Sequence, residues 1–144
     1  MDAKTKKYVA FLCKTLKIPQ PKLTTDDTLF EGKTLLSMTC VEDNEIFLRS
    51  QYKLETDLYF ALAHEIRHLW QYRQGKLTDR LRNKPTSAEG IREYNLLWEE
   101  LDANAFAVVC MEDLFRIRPL FNGLDEDVKE QIYKMAKEFK LEED

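Results

Sequence analysis

The chain has 144 residues, enough for one domain with a substantial core, and we expect residues 1–144 to form a single domain. Its net charge of -4 and isoelectric point near 5.3 argue against nucleic acids or anionic membranes as partners. No apolar run approaches the roughly 20 residues of a membrane span, and no signal-peptide pattern follows the charged N-terminus, so we expect a cytoplasmic protein.

The first half of the chain predicts one helix and a hairpin. Helical spacing of apolar residues predicts a helix over Ala3–Leu16, which ends before Pro19. Its expected buried residues are Tyr8, Phe11, Leu12 and Leu16. After Pro19 and Pro21 comes a polar connection, residues 24–27. Two strands are predicted at residues 34–41 and 45–50, and the short polar run Glu42-Asp43-Asn44 can close them into a hairpin.

The second half predicts three helices. The first runs from about Thr56 to Gln74, with Thr56 or Asp57 able to cap its start and Gly75 its end. A polar crossing over residues 78–87 follows. The third helix of the chain then begins at Thr86 or Ser87, where Thr86 with Glu89 forms a capping box. It continues to about Phe115. The last helix covers residues 125–140. The predicted fold class is α+β, with a small antiparallel sheet packed on helices.

The three cysteines, Cys13, Cys40 and Cys110, are far apart in the sequence and lie in apolar surroundings. Their odd number and the absence of paired C-x-x-C spacing do not indicate a cysteine zinc site. We expect them to be buried and reduced.

Both histidines of the chain fall within one five-residue run, His64-Glu65-Ile66-Arg67-His68. In this H-E-x-x-H pattern, two imidazoles at i and i+4 share one face of a helix and can bind one metal ion, with a Glu beside the first. The apolar residues around the run have helical spacing, so the required helix is itself predicted. The run therefore predicts a metal site.

Catalytic zinc usually has three protein ligands, and the chain has no third histidine, so a carboxylate is expected. Residues 98–102 contain three acids. At about 100° per residue, Glu100 shares one face of its helix with small residues that would let two helices approach closely. These residues are Ala103, Asn104 and Ala107. We select Glu100 as the third ligand and keep Asp102, then Glu99, as alternatives.

Two neighbours of Glu100 have different expected roles. Asn104 lies one turn further along, where its side chain can hydrogen-bond a ligand and orient it. Asp102 shares its side of the helix with Phe106 and Val109, so Asp102→Ala is expected to cost little metal affinity. The remaining interpretation of this segment is a solvated acidic patch at the start of a helix.

These motifs resemble those of the zincin metallopeptidases, and in particular the gluzincin branch, where the third zinc ligand is a Glu on a later helix. His64-Glu65-Ile66-Arg67-His68 matches the metal-binding helix, and Glu100 followed four residues later by Asn104 matches the ligand helix. The pattern Glu-x-Asp-Ala-Asn-x-Phe-Ala is also similar to the ImmA/IrrE-type metallopeptidases of phages and mobile elements, many of which regulate repressors by proteolysis. The resemblance covers Thr56 to Met111, under half of the chain.

The resemblance implies a zinc peptidase acting on a protein or peptide substrate. It implies Zn²⁺ held by His64, His68 and Glu100, with Glu65 as the general base. Gluzincins often have a further His or Tyr that stabilises the oxyanion, and since no other His is present, Tyr94 is our candidate. The strand at residues 45–50 could pair with an extended substrate through its free edge.

Two alternatives remain open from the sequence. The same residues could form a metal-stabilised scaffold that binds a partner, or a latent protease that requires one. The retained Glu65 favours an enzyme, because a structural metal site needs no base beside its ligand. The sequence does not indicate the oligomeric state.

Overall fold

The computed structural model describes residues 2–77 and 88–143, without the side chains of residues 88 and 140–143. These residues form five α-helices and one three-stranded sheet, which makes the fold α+β as predicted. In chain order the elements are α1 Ala3–Leu16, β1 Lys22–Thr25, a 3₁₀ turn at Asp27–Phe30, β2 Ser37–Cys40, β3 Glu45–Leu48, α2 Glu55–Arg73, α3 Ala88–Asn95, α4 Trp98–Phe115 and α5 Glu126–Glu143.

The sheet is mixed, which corrects the prediction of an antiparallel one. Its strand order is β1-β3-β2, with β1 parallel to β3 and β2 antiparallel to it. The predicted hairpin is present as β2 and β3, and Asn44 adopts a φ of 52° in its turn. Strand β1 was missed because its four residues, Lys-Leu-Thr-Thr, are mostly polar and look like a loop.

The central position of β3 also corrects the expected substrate edge. Both sides of β3 are already paired with other strands, so it cannot receive an extended peptide through its backbone. The edges of the sheet are β1 and β2. Of these, β2 packs against α2, the helix that contains both histidines.

Helix α1 has the predicted bounds. The Asp2 carboxylate caps it by accepting a hydrogen bond from the Thr5 backbone N–H at 2.8 Å. The buried face is rotated from the prediction: Tyr8 and Leu12 are buried, but Phe11 is 53% exposed. Helical spacing identifies neighbouring residues correctly, but it does not determine how far the helix is rotated toward the core.

Helix α2 lies within one residue of its predicted bounds. The Asp57 side chain accepts the Leu54 backbone N–H at 3.3 Å at its start, and Gly75 has a φ of 69° just after its end. Its apolar side packs in a core shared with α1, the sheet and α4. This packing holds the two histidines on the side that faces α4.

The predicted third helix is two helices in the structure. Helix α3 ends at Asn95, and α4 begins at Trp98 after Leu97, whose ψ of 140° interrupts the helical path. No glycine or proline marks this break. As a result, Glu99 and Glu100 fall in the first turn of α4, where the helix dipole favours negative charge. The predicted helix start at Thr86 or Ser87 and the polar crossing before it lie outside the described residues.

Helix α5 packs on α4 through a second apolar cluster that includes Leu101, Val108 and Ile132. On the α5 side of this cluster, Val128 and Ile132 are both buried. Cys13 and Cys110 are buried, Cys40 is partly exposed, and none of the three forms a disulfide. Among the described residues, no helix combines the length and apolar character that crossing a membrane requires.

Candidate metal centre

Helix α2 presents the two histidines one turn apart, with the Nε2 atoms of their rings close together. His64 Nε2 lies 3.1 Å from His68 Nε2, and the two rings meet edge to face. The side chains are 16% and 9% exposed. Both imidazoles are therefore largely shielded from solvent.

Helix α4 brings the Glu100 carboxylate to this pair. Its Oε1 atom lies 3.4 Å from His64 Nε2, and its Oε2 atom lies 2.9 Å from His68 Nε2. One ligand atom from each of the three residues falls within 4.8 Å of the others, a spacing that can hold one metal ion. The geometry thus unites the two histidines with Glu100, the acid chosen from helical spacing.

The outer nitrogens of both imidazoles meet side-chain amides. Asn104 Oδ1 lies 2.8 Å from His64 Nδ1, and Gln71 Oε1 lies 2.8 Å from His68 Nδ1. A carbonyl oxygen only accepts, so each Nδ1 is the protonated nitrogen that donates. In a neutral imidazole this leaves a lone pair on Nε2, which points at the other histidine and at Glu100. Asn104 therefore has the orienting position predicted for it.

These atoms fit a metal cation. When both imidazoles are neutral and protonated on Nδ1, two Nε2 lone pairs and a carboxylate converge, so all three groups are acceptors. With His68 neutral and protonated on Nδ1, the buried Glu100 Oε2 atom accepts no hydrogen bond, although it lies 2.9 Å from His68 Nε2. Buried polar atoms without partners are costly and uncommon in folded proteins. A cation at this position would satisfy all three groups together.

The electrostatics of the cluster also favour positive charge. Burial would lower the pKa of His64, but the neighbouring Glu100 carboxylate outweighs it and raises the pKa to about 9. Burial would raise the pKa of Glu100, but the charge of His64 holds it well below its usual range. Without a metal, a proton on His64 balances the negative charge of the Glu100 carboxylate. A divalent cation could take the place of that proton.

Glu65, between the two histidines in sequence, is buried on α2 and held by the sheet. The Ser37 hydroxyl, at the start of β2, donates to Glu65 Oε2 at 2.6 Å. Glu65 does not belong to the three-residue cluster. Ser37 was not predicted from the sequence, because it is 28 residues away and only the packing of β2 on α2 brings it there.

Tyr94, the candidate oxyanion donor, lies on α3 close to the two carboxylates. Burial and the negative charges of Glu100 and Glu65 raise the pKa of its phenol well above the usual range. The side chain therefore remains protonated at neutral pH and can donate a hydrogen bond. Tyr94 therefore lies within electrostatic range of Glu100 and Glu65, and its role as the oxyanion donor stays a prediction.

The other two acids of residues 98–102, Glu99 and Asp102, do not belong to the three-residue cluster. Asp102 forms a buried ion pair with Arg67 and also accepts a hydrogen bond from Gln71. It therefore faces α2, which corrects the prediction that it lies on a side away from the site. Glu99 is buried and offers no atom to the cluster, but its backbone carbonyl accepts from Gln71. Sequence reasoning missed Gln71, although its spacing of three residues from His68 on one helix was a usable signal.

No protein-family model, curated protein or solved structure matches this chain. The chemical interpretation therefore depends on the geometry of the site and on the motif resemblance.

Proposed function

We propose that this protein is a zinc-dependent peptidase with a zincin-like domain that hydrolyses peptide bonds. The observation that carries the proposal is the convergence of ligand atoms from His64, His68 and Glu100 within 4.8 Å of one another. The buried acid Glu65 follows His64 in the sequence and lies within its electrostatic range. A metal scaffold explains the first three residues. It does not explain a buried carboxylate held next to the cluster without joining it.

Zinc is the metal that suits this donor set. Two imidazoles and one carboxylate, with room for a water, form a usual catalytic zinc site, whereas magnesium and calcium prefer oxygen ligands. When bound, zinc supplies Lewis acidity that lowers the pKa of a water molecule to about 7 and polarises the substrate carbonyl. His64, His68 and Glu100 would hold it, and Asn104 and Gln71 would keep both imidazoles in the binding tautomer.

Glu65 acts as the general base in this proposal. Its carboxylate accepts a proton from the attacking water and passes it to the leaving amine. The hydrogen bond from Ser37 to Oε2 keeps the carboxylate in one orientation, with Oε1 left for this transfer. Tyr94 donates a hydrogen bond to the developing oxyanion.

Strand β2 is the proposed substrate strand. It is an edge strand of the sheet and contains Ser37, so a peptide paired with its backbone would pass close to Glu65. Backbone pairing gives affinity without strong sequence preference. The sequence also leads us to propose a cytoplasmic location, which suits three cysteines that form no disulfide. It further suggests a regulatory role like that of the ImmA/IrrE-type peptidases.

The test combines metal content with cleavage. Protein purified without chelator should contain about one zinc per chain by elemental analysis and should cut a generic unfolded protein substrate. Glu65→Gln should keep the zinc but lower cleavage by about 10²- to 10⁴-fold, because an amide cannot accept the proton. The matched control is Glu55→Gln, an exposed position on the same helix, which should change neither measurement.

Three outcomes separate the possibilities. Wild-type protein that contains no transition metal and takes none up would overturn the proposed site. Equal cleavage by the wild type and Glu65→Gln would remove Glu65 as the base. Zinc binding without cleavage by either form would favour the metal-stabilised scaffold or the latent protease.

A further inference from the structure

A second polar network lies behind the metal ligands, between α2 and α4. Asp102 accepts hydrogen bonds from Arg67 Nε at 2.7 Å and from Arg67 Nη2 at 3.1 Å, which form a bidentate ion pair. The same carboxylate accepts from Gln71 Nε2 at 2.8 Å. Gln71 Oε1 in turn meets His68 Nδ1 at 2.8 Å. The chain Arg67–Asp102–Gln71–His68 thus ends on a proposed metal ligand.

The Gln71 amide has one orientation available in this network. Its Nε2 atom donates both to Asp102 Oδ2 and to the Glu99 backbone carbonyl at 2.9 Å. Both partners are acceptors, so a flipped amide would place oxygen against oxygen twice. The carbonyl oxygen of Gln71 must therefore face His68, which places the proton on Nδ1 and the lone pair on Nε2.

Arg67 holds Asp102 in place from an apolar setting. Its guanidinium lies 3.8 Å from the centre of the Trp70 ring and about 5 Å from the rings of Phe106 and Phe139. The Arg67 and Asp102 side chains are 9% and 3% exposed. A buried ion pair contributes little net stability, because desolvation offsets the attraction between its charges. A structural role alone therefore explains this pair poorly.

We propose that Gln71, Asp102 and Arg67 are positioning residues for the metal ligand His68. This inference rests on the proposed zinc site and goes beyond it, because none of the three residues is a ligand. The network selects the imidazole tautomer and ring orientation in advance, so metal binding needs no rearrangement of His68. Partners of metal-bound histidines typically contribute 10- to 100-fold in affinity. Contrary to the sequence expectation, Asp102 then matters for metal affinity.

The test is zinc affinity measured by chelator competition on the full chain. Gln71→Met keeps the approximate volume but removes both the acceptor for His68 and the donor to Asp102, and should weaken zinc binding about 10- to 100-fold. The matched control is Tyr8→Phe, which removes a different buried hydrogen bond, from Tyr8 Oη to the Tyr59 carbonyl at 2.9 Å. It should lower stability to a similar extent without changing zinc affinity.

A spectroscopic readout separates positioning from general stability. Nitrogen-15 NMR of the imidazoles in metal-free wild-type protein should show His68 protonated on Nδ1, and Gln71→Met should show a mixture of tautomers. If Gln71→Met does not fold, the double variant R67M/D102L decides the question, because it removes both buried charges together. It should weaken zinc binding by about tenfold.

The outcomes distinguish this inference from the proposed function. Wild-type zinc affinity in folded Gln71→Met, or in the double variant if only that folds, would overturn the positioning role and leave the zinc site standing. A loss of affinity in Tyr8→Phe equal to that in Gln71→Met would also overturn it, since general destabilisation would then explain both. Wild-type protein that binds no zinc would overturn both proposals.

Discussion

Helix α4 is buried along most of its length, but its two sides meet different partners. Toward α2 its first two turns present polar groups, namely Glu100, Asp102 and Asn104, all of which contact polar side chains of α2, while its later turns join the apolar core there. Toward α5 it presents apolar residues such as Leu101 and Val108, which pack with Ile132. We call the first the polar seam and the second the apolar interface.

The two sides differ in what makes them stable. The apolar interface gains free energy roughly in proportion to buried area, at about 25 cal/mol per Å², without regard to direction. In the polar seam, each buried group must meet a partner at the right distance and angle, or desolvation makes it costly. Conservative changes should therefore be tolerated in the apolar interface but not in the polar seam.

The largest expected effect separates the two sides most clearly. Glu100→Ala removes one of the three proposed protein ligands. It should weaken zinc binding by more than about 100-fold, the upper end of what an orienting partner of a ligand contributes. Zinc at 100 times the wild-type dissociation constant should stabilise the wild type by about 2.7 kcal/mol and the variant hardly at all, measured by denaturation with and without metal. Asp113→Ala, an exposed acid on the same helix, is the control. A structure with Asp102 or Glu99 bound to zinc would contradict the assignment.

The apolar interface should respond in the opposite way. Ile132 is fully buried against α4, so Ile132→Ala should lower the free energy of unfolding by about 2–5 kcal/mol. The zinc affinity of the folded protein should not change, and the denaturation midpoint should fall equally with and without metal. A selective loss of zinc binding in this variant would show that the two sides of α4 are coupled. It would contradict the view that the apolar interface contributes to stability alone.

The smallest effect sharpens the contrast within the polar seam. Asn104→Ala removes the acceptor for His64 Nδ1 and should weaken zinc binding by about 10- to 100-fold, measured by chelator competition. Asn104→Asp keeps an acceptor oxygen there and should restore most of the affinity. Failure of this rescue would indicate that Asn104 acts through packing instead of through the hydrogen bond.

The sequence predicted the regular elements well where periodicity and end signals agree. Helix α1 has its predicted bounds, α2 differs by one residue at each end, and the hairpin is present. The prediction of elements from the sequence was wrong where periodicity and end signals are weak. Strand β1 is polar and becomes a strand only by pairing with β3 across the chain, and the break before α4 lies at Leu96–Leu97, residues that are common inside helices.

The candidate site divides in the same way. The spacing of His64 and His68 already places both on one face of a helix, because i and i+4 are neighbours in any helix. Helical spacing also grouped Glu100 with Asn104. It could not choose finally between Glu100 and the acids beside it, because that depends on the rotation of α4 against α2.

By itself, then, the sequence determined which residues are neighbours within one element: the histidine pair, Glu65 between them, and Glu100 one turn from Asn104. Only the tertiary structure decided which groups meet across elements: Glu100 with the histidines, Ser37 with Glu65, and Asp102 with Arg67 and Gln71. The physical reason is that backbone geometry sets spacing within a helix. Contacts between elements depend on rotation and register, which the packing of the whole core determines.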